Sequence, residues 1–138
     1  MAILSALRYV RALPLFASSA ICVFEHGGCS DATNSCINHF HLHLINNNLD
    51  LTSELSSEYE VRRAEVSPND TLTVAGSYLF VGRFNGHDSI HGFVAPCLQR
   101  EAQYFRKKIA ELTGQPIWDW RADINREMML RTMNSIRI

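Results

Sequence analysis

The segment 39–45, His-Phe-His-Leu-His-Leu-Ile, constrains the fold of this chain more than any other feature. In an extended strand, successive side chains point to opposite faces of the sheet, so histidines at alternate positions share one face. The apolar residues between them then enter the core. The sequence therefore predicts a strand with one apolar face and one face that carries the imidazoles of His39, His41 and His43.

The composition is that of a single globular domain. The chain has 138 residues, of which 46% are hydrophobic, and it shows no internal repeat or low-complexity linker. A length of this order suits one core, so we expect one domain over residues 1–138. A formal net charge of -1 argues against a strongly basic surface, and we expect no nucleic-acid partner.

The cysteines and the N-terminal segment indicate the cellular compartment in which the protein is expected. The four cysteines form no C-x-x-C pair and lack the density of a disulfide scaffold, which indicates reduced thiols and a cytoplasmic protein. Two arginines before the apolar stretch 13–24 loosely imitate a secretory signal, but the near-helical apolar spacing in residues 2–13 favours a helix there. No apolar segment is long enough to span a membrane without a charge.

Short strands and helices alternate along the chain. A strand at 21–24 and the histidine strand, taken as 37–45, are joined by a polar loop, so an antiparallel pair is the simplest connection. A third strand is predicted at 77–82, a short helix capped by Asp50 or Thr52, and further helices at 98–112 and 124–136. His87 and His91 are assigned to a loop, without a role. We expect an α+β domain with an antiparallel sheet and its helices on one face.

Three chemistries suit a strand with three imidazoles. A neutral imidazole could attack phosphorus and carry a nucleotidyl group, helped by its neighbours. Alternatively, an H-x-H pair could hold a divalent metal, although further ligands would have to come from Glu25 or Asp31 across a loop. The histidines could also be structural. A single histidine would usually be structural, whereas three in alternation favour phosphorus chemistry.

These residues resemble the histidine triad proteins, whose signature is His-φ-His-φ-His-φ-φ, with φ hydrophobic. Residues 39–45 match every position, and the stretch 23–27 leads through a loop to the triad strand as it does in that family. Residues 78–81, 103–106 and 118–121 are similar to the C-terminal extension of a less-studied bacterial and phage branch. The resemblance implies an α+β antiparallel sheet with packing helices, here with a short N-terminal half, since 38 residues precede His39.

The resemblance also implies the role of each histidine. His41 would be the nucleophile that attacks the α-phosphorus of a nucleotide, forming a nucleotidyl-histidine intermediate that water later resolves. His43 would contact the phosphate oxygens. His39 would order the site and assist the leaving group.

The substrate contacts follow from the same resemblance. Ser35 and Cys36 fall where the family contacts the phosphate, although a thiol is a weaker donor than a hydroxyl. Glu25 falls at a ribose contact, and Gln103 is a polar ligand contact. In a shortened nucleoside pocket, Tyr104, Trp118 and Trp120 could stack on a base, but core packing is the more ordinary role of large aromatic residues. Arg106, Lys107, Lys108 and Arg121 could neutralise phosphate or form a solvated surface.

The sequence thus predicts a nucleotide phosphohydrolase, or a nucleotidyltransferase, that acts at the α-phosphate. The covalent scheme requires no cofactor, and Mg²⁺ could enter with the substrate. The expected partners are a nucleotide and a second copy of the chain in a homodimer. The alternative is a non-catalytic nucleotide-binding or metal-binding module that retains the H-x-H-x-H strand.

Overall fold

The computed structural model describes residues 3–14, 16, 20–28, 41–46, 48–67, 76–85, 89–97, 103–115 and 119. Within these residues the chain forms three helices and five strands, which confirms the predicted α+β class. In chain order they are α1 Ile3–Ala12, β1 Ile21–Gly27, β2 His43–Ile45, α2 Leu51–Glu58, β3 Arg62–Val66, β4 Tyr78–Phe84, β5 Ile90–Pro96 and α3 Tyr104–Thr113.

The five described strands form one antiparallel sheet in the order β2-β1-β4-β5-β3. The predicted antiparallel pairing of the first strand with the histidine strand is confirmed, and its register places Phe24 opposite His43. The predicted bounds 37–45 are too long in the described residues, because the strand begins at His43 and the preceding residues 41 and 42 are outside it. Because β1 also pairs with β4 along its whole length, it lies inside the sheet. Within the described sheet the histidine strand is an edge strand.

Helices cover both faces of the sheet, so the prediction of helices on one face is wrong. Ile21 and Val23 of β1 pack with Leu7 of α1 in one core cluster. Cys22 and Phe24, which alternate with them, pack with residues of α2 and α3 in a second cluster. The reason is that β1 is apolar on both faces, and a strand of this kind must be covered from both sides.

The helices begin and end at recognisable signals. Asp50, rather than Thr52, caps α2: its carboxylate accepts a hydrogen bond from the Ser53 backbone N–H at 3.1 Å. Leu51 and Leu55, one helical turn apart, are buried. At the C-terminal end of α3, Gly114 has the left-handed conformation and its N–H bonds the last carbonyls. The helix predicted at 2–13 is confirmed over Ile3–Ala12. The helix predicted at 98–112 is confirmed from Tyr104 onward and is preceded by the non-helical Gln103, and the one at 124–136 lies outside the described residues.

Two strands, β3 and β5, were not predicted from the sequence. The β3 sequence, Arg-Arg-Ala-Glu-Val, is charged at three positions because the strand lies at the second edge of the sheet. In β5, Gly92 lies opposite Gly82, where a Cβ on Gly92 would lie 2.2 Å from the Val81 carbonyl oxygen. The two backbones approach so closely here that only a glycine fits. Because glycine is uncommon inside strands, it also weakens the sequence signal for β5. His91 therefore belongs to a strand and not to a loop, while His87 lies outside the described residues.

Candidate functional site

The pairing of β1 with β2 brings imidazoles together on the sheet face that α2 and α3 cover. The ring of His43 stacks on Phe24, with centroids 4.9 Å apart and planes 10° from parallel. The ring of His41 meets His43 edge-on at 5.0 Å. Leu42 and Leu44 pack against the opposite cluster, as strand alternation predicts. The shared face is thus confirmed for His41 and His43, whereas His39 lies outside the described residues.

His26 is a further imidazole of this face that the sequence reasoning did not assign. It alternates with Phe24 along β1, so its side chain emerges on the same face as His43. Burial, followed by the proximity of His41, lowers the pKa of His26 below its ordinary value. The available signal was its position two residues after Phe24, in a strand that pairs with the triad strand.

Burial favours the uncharged form of two of these imidazoles, His26 and His43. Burial is the largest cause that lowers the pKa of His43, followed by the positive charges of His41 and Arg106. Desolvation disfavours a charged imidazolium, and cations nearby act in the same direction. His26 and His43 are therefore neutral at neutral pH, and a neutral imidazole has a ring nitrogen with a free lone pair.

The first turn of α3 lies beside the imidazoles. Phe105 packs on Phe24 at 5.1 Å, and Phe24 in turn stacks on His43, so the helix is fixed to the histidine pair through aromatic contacts. Arg106, the next residue, is exposed and close enough to His43 to act on its pKa. This arrangement presents a guanidinium to any anion that binds at His43.

Gln103 has an unusual backbone for its residue type. Its φ is 64°, in the left-handed region, and it precedes α3 without a side-chain cap. Its amide nitrogen donates to the Asp119 carboxylate at 3.2 Å, whereas its amide oxygen is buried and has no hydrogen-bond partner within the described structure. A left-handed non-glycine residue costs about 1 kcal/mol, and such strain is concentrated at binding sites. The predicted contact residue Gln103 is thus brought next to the turn that carries Arg106.

Glu25 lies on the other face of the sheet. Its side chain is 0% exposed, and it alternates with Phe24 and His26 along β1. One carboxylate oxygen accepts a bond from the His41 backbone N–H at 2.9 Å, and the other accepts the Tyr78 hydroxyl at 2.8 Å. The structure therefore does not place Glu25 among the imidazoles, where the predicted ribose contact would be, and both of its oxygens bond protein groups.

The remaining predicted contacts either belong to the packed helices or lie outside the described residues. Tyr104 is buried and packs edge-on against Tyr59 and Phe105, which confirms core packing as its role. Lys108 is only 14% exposed and bridges α2 to α3 by pairing with Glu58, so it belongs to the helix layer. Lys107 is half-buried on α3. Five more of these residues lie outside the described part of the chain: Ser35, Cys36, Trp118, Trp120 and Arg121.

A second polar cluster involves His91 on β5. Ser89 lies 2.8 Å from its Nε2, and the Glu65 carboxylate lies 3.8 Å from its Nδ1. The second distance is too long for a hydrogen bond, and the side chains of His91 and Glu65 are largely exposed. These exposed groups lack the fixed, buried geometry that nucleophilic catalysis requires.

Searches for other sites and for relatives give few further leads. In the described part of the chain, no group of three or more histidine, cysteine or acidic residues is arranged to hold a metal ion. None of the described helices is long and apolar enough to cross a membrane. Comparison with protein-family models, with curated proteins and with solved structures found no match to this chain. The interpretation of the site therefore depends on its own residues.

Proposed function

We propose that this protein is a nucleotide phosphohydrolase of the histidine triad type, which acts at the α-phosphate through a nucleotidyl intermediate on His41. The observation that carries the proposal is the pair His41 and His43: His43 begins the edge strand β2, His41 lies two residues before it, and their ring centroids are 5.0 Å apart. This pair has a neighbouring imidazole, His26, and a nearby guanidinium, Arg106. Nucleophile, proton carrier and anion contact are thus available within one surface.

The proposed reaction has two displacements at phosphorus. An unprotonated ring nitrogen of His41 attacks the α-phosphorus, a P–N bond forms, and the bond from phosphorus to the leaving group breaks. The leaving group departs with the electron pair of that bond and takes a proton from water. Water then attacks the phosphorus, the P–N bond breaks, and the nitrogen lone pair returns to His41 while the water proton passes to solvent.

Arg106 and His43 are suited to the charge that this reaction handles. The α-phosphate carries negative charge, and a guanidinium can bind its oxygens through paired hydrogen bonds. His43, held neutral by burial, can donate one N–H to a phosphate oxygen without adding a desolvated charge to the site. No metal is required in this scheme, and Mg²⁺ would enter on the substrate phosphates. Hydrolysis is favoured over transfer because the residues that the structure describes indicate no acceptor site.

The test is the covalent intermediate itself. The protein is mixed with dinucleoside polyphosphates, aminoacyl-adenylates and a nucleoside phosphoramidate, quenched in acid-free denaturant, and its intact mass is measured alongside product release. We expect an adduct of one nucleoside monophosphate on the wild type and its loss in His41→Ala. His91→Ala is the matched control, because it removes an exposed imidazole from a different strand.

Three results would overturn the proposal. Absence of both turnover and adduct across the panel, with nucleotide still bound, would indicate a non-catalytic binding module. Stoichiometric metal in the purified protein, bound through His41 and His43, would indicate the metal-binding alternative. An adduct that persists in His41→Ala would place the nucleophile elsewhere.

We also propose that the protein is a cytoplasmic homodimer. In the described sheet β2 is an edge strand, and an unpaired edge is a ready surface for a second copy. Light scattering at micromolar concentration checks the oligomeric state, and a monomer there would contradict the dimer.

A further inference from the structure

Glu25 is a buried charge that the proposed reaction does not use. Among the described residues, Glu25 is the one charged side chain that is buried, with 0% exposure. It lies in a strand that is otherwise almost wholly apolar. A carboxylate is costly to bury unless its oxygens are hydrogen-bonded. The partners of those oxygens indicate what the residue does.

One oxygen of Glu25 fixes the backbone of His41. The paired register of β1 with β2 is recorded up to Phe24 opposite His43, and His41 lies two residues before that pair. There the His41 N–H donates to the Glu25 carboxylate at 2.9 Å, across sixteen residues of sequence. A hydrogen bond to a charged acceptor is about twice as strong as a neutral one. The carboxylate thus attaches the triad strand to β1 at the position of His41.

The other oxygen is held by Tyr78. Its hydroxyl donates to Glu25 at 2.8 Å from β4, the strand on the opposite side of β1. Tyr78 lies opposite Gly27 in the register, and a Cβ on Gly27 would lie 2.4 Å from the Cζ of the tyrosine ring. The ring therefore occupies the space that a side chain at position 27 would need. The missing side chain of Gly27 allows the ring to lie where its hydroxyl reaches Glu25.

We propose that Glu25 is a positioning residue: held by Tyr78, it fixes the backbone of His41 and so orients the imidazole toward the α-phosphorus. The inference rests on the proposed function and assigns Glu25 an indirect role in place of the ribose contact. Burial and the bond to Glu25 raise the pKa of Tyr78 above its ordinary range, so the hydroxyl remains a donor at physiological pH. An attacking atom misplaced by about 1 Å can lower a rate by about a hundredfold.

The experiment compares Glu25→Leu with Glu25→Gln. Glutamine keeps an oxygen to accept from the His41 N–H, and its amide can donate to the Tyr78 oxygen, whereas leucine removes both bonds. We expect kcat for adduct formation to fall about 10- to 100-fold in Glu25→Leu with KM nearly unchanged, and to remain within about threefold of wild type in Glu25→Gln. Glu65→Leu and Glu65→Gln are matched controls, because Glu65 is an exposed acid of the edge strand β3.

A second measurement does not depend on activity. Amide hydrogen exchange at His41 reports the bond to the carboxylate directly, and we expect exchange at that amide to accelerate about tenfold or more in Glu25→Leu. The amides of β4 and β5 show whether the sheet is intact. If Glu25→Leu does not fold, Tyr78→Phe, which keeps the ring and removes one bond to the carboxylate, should accelerate His41 exchange in the same direction.

The outcomes separate the two proposals. Unchanged exchange at His41 in a folded Glu25→Leu, or unchanged kcat in that variant, would overturn the positioning role. A wild-type protein that forms no nucleotidyl adduct, but whose His41 amide loses protection in Glu25→Leu, would refute the proposed function while supporting the attachment of His41 by Glu25. Loss of activity in Glu25→Gln equal to that in Glu25→Leu, with His41 still protected, would show that the charge and not the position matters.

Discussion

Replacement of Tyr78 by phenylalanine isolates one buried hydrogen bond, and the structure sets its expected effect on stability. Tyr78 is 6% exposed and Glu25 is fully buried, so water cannot replace the lost donor without opening the sheet. A hydrogen bond to a charged group contributes about 1.5–3 kcal/mol, and we expect the free energy of unfolding to fall by about 2 kcal/mol. For a domain of this size that corresponds to about 5–10 °C in Tm.

The assay is urea unfolding, with the midpoint and the slope fitted separately. An unchanged slope shows that the mutation alters stability and not the compactness of either state, and the midpoint should fall by about 1 M. Tyr9→Phe is the matched control: the chemical change is identical, but Tyr9 is 68% exposed, and its effect should stay within about 0.5 kcal/mol. Equal stability losses in the two variants would refute the reasoning.

The same bond has a pH signature. The pKa of Tyr78 is raised from the ordinary 10.0 in the folded protein, so above that pH the unfolded chain loses the proton while the folded chain keeps it. The unfolded state then binds fewer protons, and stability falls as pH rises. Wild type should therefore lose stability above about pH 10, and Tyr78→Phe should lack that part of the slope. A wild-type curve that stays flat to the same pH as the variant would contradict the assignment.

Three further predictions concern other parts of the structure. Arg106→Gln removes a charge that lowers the pKa of His43, so that pKa should rise toward its ordinary value in an NMR titration, and KM for an anionic substrate should increase. Cys22, whose pKa is raised to about 11 by burial, should resist alkylation at pH 8, where about one part in a thousand is thiolate. Lys108→Met should destabilise the protein by about 1 kcal/mol at pH 7, and this difference should disappear as pH falls through the lowered pKa of its partner Glu58.

Each of these three predictions can be checked against a control or a contradicting result. Arg62→Gln, on the far edge strand, should leave the His43 titration unchanged, and an equal shift in both arginine variants would indicate a general charge effect. Rapid alkylation of Cys22 in the folded protein would contradict its raised pKa, and the rate should rise steeply with pH toward 11. Lys107→Met should be less destabilising than Lys108→Met, and the reverse order would place the bridge between α2 and α3 elsewhere.

Much of the local structure could be predicted because its signals lie close together in the chain. The short helix α2, with Asp50 as one of its two predicted caps, and the helix α3 are each set by residues close in sequence, and both are confirmed for the described residues. The strands β3 and β5 could not be predicted, because their charged residues, glycine and proline give weak strand signals. They are strands because neighbours in the sheet satisfy their backbone groups, which is a tertiary effect.

The sequence by itself determined which side chains share each face of the histidine segment. Alternation along an extended backbone is a local property, so it placed His41 and His43 on one face and Leu42 and Leu44 on the other before any fold was known. Only the tertiary structure decided what surrounds them. The pairing with β1 brings His26 to the face of His43 and places the buried Glu25 against the backbone of His41. These contacts join residues about sixteen positions apart, and a local sequence pattern does not specify such pairing.

The contacts of Tyr78 and Arg106 were likewise decided by the tertiary structure and not by the local sequence. The sequence places Tyr78 in a strand and Arg106 in a helix, but a residue type and an element do not determine which distant group a side chain meets. The bond from Tyr78 to Glu25 spans 53 residues, and α3 lies beside His43 through the packing of Phe105 on Phe24. Long-range packing, which buries apolar surface and gives the buried carboxylate of Glu25 its hydrogen-bond partners, determined these contacts.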